Sequence, residues 1–297
     1  MSDVLQVRHE VLIRQLRPQA QHIEYLGAGD FNDVVRVDDE VFRFPKTDQG
    51  RQTLRYDEVI LARLAGKVTL QIPEVHETAD DGSYAVLSYV PGRMLSSEEI
   101  IAFTGDQKQQ LAHAIADCMR EINGALHVDE VRDIQRQYVP WLEDDDAHYK
   151  TILGNGTYSP YHELYEVYHQ KLMQRRKDIG APRQLVTYGD YHYGNMLFND
   201  VHELTGLIDF SAMGPGTVIN DLRQLYRLGQ DIVGAVVKEL DGELGEVDME
   251  AVRLNAILHE VSVLMRPESQ PPHVSPRAEL ARQLLNQWLG EGWDENL

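Results

Sequence analysis

The chain has 297 residues, of which 42% are hydrophobic and 26% charged, and its formal net charge is −20. The acidic charge argues against nucleic acid or an anionic membrane as a partner, and it fits either simple solubility or a cationic small-molecule substrate. The single cysteine, Cys118, excludes an intramolecular disulfide and a multi-thiolate metal site. Without a long apolar run or signal-peptide features, we expect a cytoplasmic protein with no membrane contact.

The first third of the chain predicts short strands around one helix. Strands are expected near 22–27, 34–39 and 40–45, and a helix is expected over 53–66, where apolar residues recur at helical spacing. A buried strand over 84–90 then runs into Pro91 and Gly92, a clear break.

After this break, helices dominate the pattern. We expect them at about 96–104, 107–123, 160–178, 219–240, 248–266 and 276–290, with one pair of strands near 185–210. The prediction is an α+β, bilobal fold: a small β-rich lobe over 1–90 and a larger, mainly helical lobe over 91–297.

The stretch "YGDYHYGN" at 188–195 lies between the two expected strands of the helical lobe. Asp190 precedes Asn195 by five residues, and "GLIDFS" places Asp209 at the end of the following apolar run. A hairpin would bring these residues together. Asn195 and Asp209 offer hard oxygen ligands suited to Mg²⁺, and Asp190 could accept a proton from an alcohol, which is the arrangement that phosphoryl transfer to a hydroxyl needs. Taken alone, Asp190 and Asn195 could equally be turn residues.

This stretch resembles the catalytic loop of eukaryotic-like kinases, and most of all that of the aminoglycoside phosphotransferases. Their loop runs His–Gly–Asp–x4–Asn and is followed by Ile–Asp–(Trp/Phe). Here Tyr188 replaces the histidine, which is usually structural. The resemblance also implies that Asp221, in "INDLRQLYR", braces the catalytic loop.

The resemblance extends to the first lobe and implies a nucleotide site there for ATP or GTP. "LGAGDFNDVVRV" occupies the place of the glycine-rich loop, with Gly27, Gly29 and Asn32. "YAVLSYVPGRML" resembles the hinge that receives the base, at Ser88 and Val90.

The cation that steadies the α- and β-phosphates is Arg43 by this alignment, where the family has lysine. Strand alternation puts Arg43 on one face of "VFRFP" and Phe42 and Phe44 on the other. Glu58, in "YDEVILARL", is the expected partner of Arg43. Lys46 is the second choice for the cation, although its place after Pro45 favours a side chain that points to solvent.

The resemblance thus implies a monomeric, Mg²⁺-dependent phosphotransferase that acts on a small-molecule hydroxyl, first of all an aminoglycoside. The acidic run at 143–148, "EDDDAH", could attract such a cation or could simply be a solvated segment. Two alternatives stay open: a kinase of another alcohol, such as a macrolide or a choline- or homoserine-like metabolite, and a kinase-like binding module without catalysis.

Overall fold

The computed structural model describes residues 2–29, 31–140, 161–265 and 275–291. Its first lobe is one antiparallel sheet. The strands are β1 (Ile23–Ala28), β2 (Asn32–Val37), β3 (Glu40–Pro45), β4 (Val75–Thr78) and β5 (Ala85–Ser88), in the spatial order β1-β2-β3-β5-β4. The expected β-rich lobe is confirmed, although β4 is not among the predicted strands.

The two faces of this sheet have different partners. Helix α1 (Ser2–Leu16), which the sequence pattern did not predict, buries Ile13 against the outer face. That face carries Val35, Val37, Phe42 and Phe44. Because side chains alternate along β3, Arg43 lies on the opposite face, which looks toward the second lobe.

Helix α2 (Asp48–Leu64) follows β3 and begins at Thr47, whose side chain accepts a hydrogen bond from the Gly50 N–H at 3.1 Å. Its buried stripe includes Leu54, Ile60, Leu61 and Leu64. Tyr56 on the same helix donates a hydrogen bond to the Met213 carbonyl at 2.5 Å, so α2 is tied to the second lobe.

Helices make up most of the second lobe. They are α3 (Ser97–Ile101), α4 (Gly105–Ala125), α5 (Val128–Tyr138), α6 (Tyr161–Ile179), α7 (Val218–Leu225), α8 (Gln230–Leu240), α9 (Met249–Leu264) and α10 (Pro276–Leu289). Two small antiparallel pairs join them: β6 (Leu185–Thr187) with β9 (Gly214–Gly216), and β7 (Met196–Phe198) with β8 (Leu204–Leu207). The described residues contain no helix of the length and apolarity that a membrane crossing requires.

Two predicted helices are corrected by the structure. The segment expected as one helix over 219–240 is divided at Gly229, whose φ of 117° does not fit an α-helix. The helix expected over 96–104 is only Ser97–Ile101, because Thr104 already caps the next helix through Gln107. Helix α5 was missed altogether.

Candidate active site

The predicted catalytic loop connects β6 to β7 and contains a short 3₁₀ turn, Tyr193–Asn195. Both carboxylate oxygens of Asp190 are held there. The Asn195 Nδ2 donates to Oδ2 at 2.8 Å, and the Gln224 Nε2 donates to Oδ1 at 3.2 Å. His192 accepts a hydrogen bond from the Gly194 N–H at 3.0 Å and so closes the turn. The loop therefore presents one fixed carboxylate.

The protonation state of Asp190 follows from its neighbours. Burial raises the pKa of this carboxyl. His192, the charge of Arg227 and the hydrogen bond from Asn195 together lower it by more than burial raises it, so the pKa lies below its ordinary value. Asp190 is thus ionised at neutral pH and able to accept a proton.

Asp221 braces the loop from behind, as expected. Its Oδ1 accepts a hydrogen bond from the Gly189 N–H at 2.6 Å, and the residue is only 3% exposed. Burial raises the pKa of Asp221 to about 7, opposed by the backbone N–H groups of Gly189 and Tyr188. Gly189 has φ of 82°, and a Cβ there would lie 2.7 Å from the Ala212 carbonyl oxygen, so only glycine fits.

Tyr188, in the place of the family's histidine, is a core residue. Its ring is fully buried and packs edge-on against Tyr191 and Phe210, and its hydroxyl donates to the Ile208 carbonyl. This hydrogen bond joins the catalytic loop to the strand end that carries Asp209, so the substitution keeps a structural role.

The structure also brings the carboxylate of Asp209 close to the catalytic loop. The β7–β8 pair lets the Ile208 N–H donate to the Asn195 carbonyl at 3.1 Å, which puts Asp209 next to Asn195. Asp209 has φ of 62°, in the left-handed region that aspartate tolerates better than most residues. Ser211 Oγ donates to its Oδ1 at 2.7 Å, and the carboxylate is 41% exposed.

Arg43 faces this group from the sheet. Its Nη1 lies 2.6 Å from Asp57 Oδ2, and its Nη2 lies 3.5 Å from Asp209 Oδ1. Burial lowers the pKa of Arg43, but Asp57 and Asp209 more than offset this and leave it above its ordinary value. Burial also raises the pKa of Asp57, and Arg43 opposes that rise. The guanidinium thus joins the two lobes where Arg43 faces Asp209, a place called the cleft from here on.

The prediction that Glu58 pairs with Arg43 was wrong, because Arg43 pairs with Asp57. Glu58 is 42% exposed and lies 3.5 Å from Arg55 of its own helix. One residue further along a helix turns the side chain by about 100°, which carries Glu58 away from the sheet. A signal for Asp57 was present, because it falls on the stripe of Leu54, Leu61 and Leu64, where a carboxylate needs a partner.

The glycine-rich segment lies between β1 and β2, as predicted. Gly27 has φ of 145° and sits next to a bulge in the β1–β2 pairing. The Gly29 N–H donates to the Asn32 carbonyl at 2.9 Å, and Asn32 is 3% exposed with no hydrogen-bond partner for its side-chain oxygen. The sequence did not anticipate how this segment is held.

Lys46 holds the glycine-rich segment. Its Nζ donates to the Gly29 carbonyl at 2.5 Å and lies 3.7 Å from Asp33 Oδ1, while its own N–H donates to the Phe31 carbonyl at 2.8 Å. Lys46 is solvent-exposed, as its place after Pro45 favours, but its ammonium also binds the glycine-rich segment. Within the described residues, Lys46 ties the loop to the end of β3, and Arg43 is the cation at the carboxylates.

The predicted hinge crosses between the lobes. Ser88 ends β5 and exchanges hydrogen bonds with Glu74, its N–H donating to the Glu74 carbonyl at 2.8 Å. Val90 is buried against Gly206 of β8. Beyond it, the backbone of Arg93 pairs with that of Phe198 through two hydrogen bonds of 2.9 Å. The segment 88–93 thus links the sheet directly to the β7–β8 pair.

The oxygens at the cleft fit a magnesium ion by their chemistry. Asn195 uses its Nδ2 toward Asp190, which leaves Oδ1, and the contacts of Asp209 use Oδ1, which leaves Oδ2. No group of three or more His, Cys, Asp or Glu suited to a metal occurs in the described part of the chain. Mg²⁺ needs only one or two protein oxygens when phosphates and water supply the others.

A buried ion cluster lies beyond Asp190. The Arg227 Nε lies 2.7 Å from Glu260 Oε1, and the Arg277 Nη1 lies 2.8 Å from Glu260 Oε2. Arg227 and Glu260 are 7% and 1% exposed. This cluster contains two guanidinium groups and one carboxylate. The acidic run at 143–148 lies outside the described residues.

A model of a phosphotransferase enzyme family matches residues 22–255. No curated protein matches the sequence significantly. Among solved structures, the GDP and kanamycin complex of an APH(2″) enzyme aligns with a TM-score of 0.76 and 22% identity, covering 97% of this chain and 100% of that one. The streptomycin–ATP complex of APH(2″)-IIa aligns with a TM-score of 0.70 and 18% identity, covering 95% and 94%. A macrolide 2′-phosphotransferase type I aligns with a TM-score of 0.66 and 11% identity, covering 94% and 96%. These likenesses show that the bilobal, kinase-like fold is shared.

Proposed function

The chain belongs to the phosphotransferase enzyme family, and we propose that it moves the γ-phosphoryl group of ATP or GTP to a hydroxyl of a small molecule. The observation that carries this proposal is the meeting of two sets of groups at one cleft. Asp190 comes from the catalytic loop, and Arg43 from the sheet lies 3.5 Å from Asp209 at the end of β8.

The nucleotide would lie between the sheet and the β7–β8 pair. Ser88 and Val90 would face the base, and the segment of Gly27, Gly29 and Asn32 would cover the phosphates. Arg43 would neutralise phosphate charge, because arginine stays ionised and can make two parallel hydrogen bonds to an anion. Asp57 holds the guanidinium for this task.

Asn195 Oδ1 and Asp209 Oδ2 would hold magnesium, as the oxygens left free by their other contacts. When bound, the ion would supply charge neutralisation and alignment for the phosphates. Arg43, placed within reach of Asp209, would give up part of that contact to the phosphates as they enter.

Asp190 would accept the proton of the attacking hydroxyl. Its lowered pKa keeps it ionised at neutral pH, and its two held oxygens fix its direction. The loose transition state of phosphoryl transfer needs little covalent help, so positioning and charge carry most of the rate.

The first acceptor class to test is the aminoglycosides. Structural neighbours bind kanamycin and streptomycin, and a protein with a net charge of −20 attracts a polycation. Phosphorylation would add negative charge to such an antibiotic and would inactivate it, so the chain would confer resistance in the cytoplasm.

A second acceptor class is a different small alcohol. Macrolide 2′-phosphotransferases share the fold of this chain, so a macrolide is the second candidate, followed by a choline- or homoserine-like metabolite. A non-catalytic module is disfavoured, because Asp190, Asn195 and Asp209 are all present and the Asn195 side chain binds Asp190 directly.

The proposal is tested by assaying a panel of acceptors with Mg²⁺ and either ATP or GTP, and by following the acceptor's mass. The panel should hold aminoglycosides, macrolides, choline and homoserine. The expected result is a nucleotide-dependent gain of one phosphoryl group on one class. Tight nucleotide binding without turnover on any class would favour the binding module instead.

A further inference from the structure

Gln224 has an arrangement that its role in the core does not explain. It lies on α7, is 3% exposed, and its Nε2 donates to Asp190 Oδ1 at 3.2 Å. The same Nε2 lies 3.4 Å from His259 Nε2. Its Oε1, equally buried, has no hydrogen-bond partner. A buried glutamine kept for folding alone normally pairs both ends of its amide, because an unpaired buried oxygen costs free energy.

The position of Gln224 on the helix links it to the loop brace. Asp221 and Gln224 are three residues apart, so both face the catalytic loop from one side of α7. Asp221 holds the Gly189 backbone N–H at 2.6 Å, and Gln224 holds the side chain of the next residue, Asp190. One helix face thus fixes both the backbone and the carboxylate.

The carboxylate of Asp190 needs this second support. Asn195 holds only Oδ2, at 2.8 Å, and it is also a candidate magnesium ligand. With Oδ1 left free, the carboxylate could rotate about the bond to Cβ, and the oxygen facing the acceptor would lose its direction. A misplacement of about 1 Å at a reacting group can cost a factor of about 10² in rate.

We propose that Gln224 is a positioning residue that fixes the Asp190 carboxylate for the acceptor hydroxyl. In this position its own Oε1 is left without a hydrogen bond, which costs stability. This inference rests on the proposed function, since it takes Asp190 as the group that meets the hydroxyl. If the inference is right, substitution of Gln224 changes activity without a matching loss of stability. Removing the amide should relieve an unpaired buried oxygen and at the same time release the carboxylate.

The test compares Gln224→Met with Gln135→Met. Gln135 is a matched control, because it is also a buried glutamine, 5% exposed, and its Nε2 donates to the Met213 carbonyl at 3.2 Å, away from Asp190. For each variant we would measure the thermal midpoint and the nucleotide KM. We would also measure kcat for phosphoryl transfer to the acceptor and for hydrolysis of MgATP or MgGTP. Gln224→Asn, with a shorter amide, is the conservative variant.

For Gln224→Met we expect a nearly unchanged thermal midpoint, because relief of the unpaired Oε1 offsets the hydrogen bond lost from Asp190. We also expect an unchanged nucleotide KM and kcat lower by about 10- to 100-fold. Gln224→Asn should recover part of that kcat. Gln135→Met should instead lower the midpoint and keep kcat. A Gln224→Met protein with a lowered midpoint and a normal kcat would overturn the inference and make Gln224 a core residue.

The two proposals fail differently. If the wild-type protein neither transfers nor hydrolyses, the proposed function fails, and Gln224 is then judged by a crystal structure of Gln224→Met. A rotated Asp190 carboxylate in that structure would support the positioning role. An Asp190 carboxylate in its original place would contradict it.

Discussion

Arg43 and Asp57 form a buried ion pair with 2.6 Å between Nη1 and Oδ2, and the second arm of the same guanidinium lies 3.5 Å from Asp209 across the cleft. One side chain thus connects helix α2, the sheet and the candidate metal site. Because the Asp57 side chain is 2% exposed and that of Arg43 14%, water cannot replace either partner, and removing one leaves the other charge buried and unpaired.

Asp57→Asn should weaken the protein and its nucleotide site together. Removing one partner of a buried ion pair leaves the other charge uncompensated, and we expect a loss of about 3 kcal/mol in unfolding free energy and a raised nucleotide KM. Denaturant unfolding and steady-state kinetics measure both. Glu58→Gln is the matched control and should stay within about 0.5 kcal/mol of wild type. The reverse ranking would return Glu58 to the role first expected for it.

Arg43→Ala and Lys46→Ala should differ in kind. Arg43→Ala should raise the nucleotide KM and lower turnover, whereas Arg43→Lys should keep much of the function because it keeps a cation near Asp209. Lys46→Ala removes the hydrogen bond to the Gly29 carbonyl, so we expect a milder rise in KM from a less ordered loop. Kinetics with saturating acceptor measure these effects. A severe Lys46→Ala with a mild Arg43→Ala would move the phosphate contact to Lys46.

Asp209→Asn should be more damaging to magnesium–nucleotide affinity than Asn195→Ala. A carboxylate is a stronger ligand for a hard dication than an amide, and asparagine tolerates the left-handed backbone at this position, where φ is 62°. Calorimetric titration with a non-hydrolysable nucleotide, with and without Mg²⁺, measures the difference. Equal affinities in the wild type and both variants would place the metal elsewhere.

Asp221 should make stability depend on pH. Its pKa is raised from 3.8 to about 7 by burial, so between these values the folded state keeps a proton that the unfolded state has lost. The stability from this group is complete below pH 4 and falls as pH rises to 7, by roughly 4 kcal/mol at most. Asp221→Asn should remove that slope. Parallel slopes in the wild type and Asp221→Asn between pH 5 and 7 would show that Asp221 is ionised throughout.

The sequence predicted the parts of the site that depend on short-range order. Asp190, Asn195 and Asp209 were found because a loop and a strand pair hold them at fixed spacing, whereas Asp221, on helix α7, was inferred from the family resemblance. The bilobal fold followed from the change of periodicity after Pro91. Arg43 was placed on the correct face because alternation along a strand is strict.

Contacts between elements were harder to predict, because they depend on packing that spacing alone does not set. The choice between Asp57 and Glu58 turns on a rotation of about 100° around one helix, and alignment spacing favoured the wrong residue. The place of Lys46 depends on the path of the glycine-rich segment. Gln224 carries no motif, and only its burial and its contact with Asp190 distinguish it.

The central claim is that Asp190 accepts the proton of the acceptor hydroxyl, and the most direct measurement is transfer of labelled γ-phosphate by Asp190→Asn under saturating nucleotide and acceptor. We expect the rate to fall by about 10²–10⁴, with the nucleotide dissociation constant unchanged, because in the proposed function this side chain would contact the acceptor and not the triphosphate. Near-wild-type transfer by Asp190→Asn on the true acceptor would contradict the account.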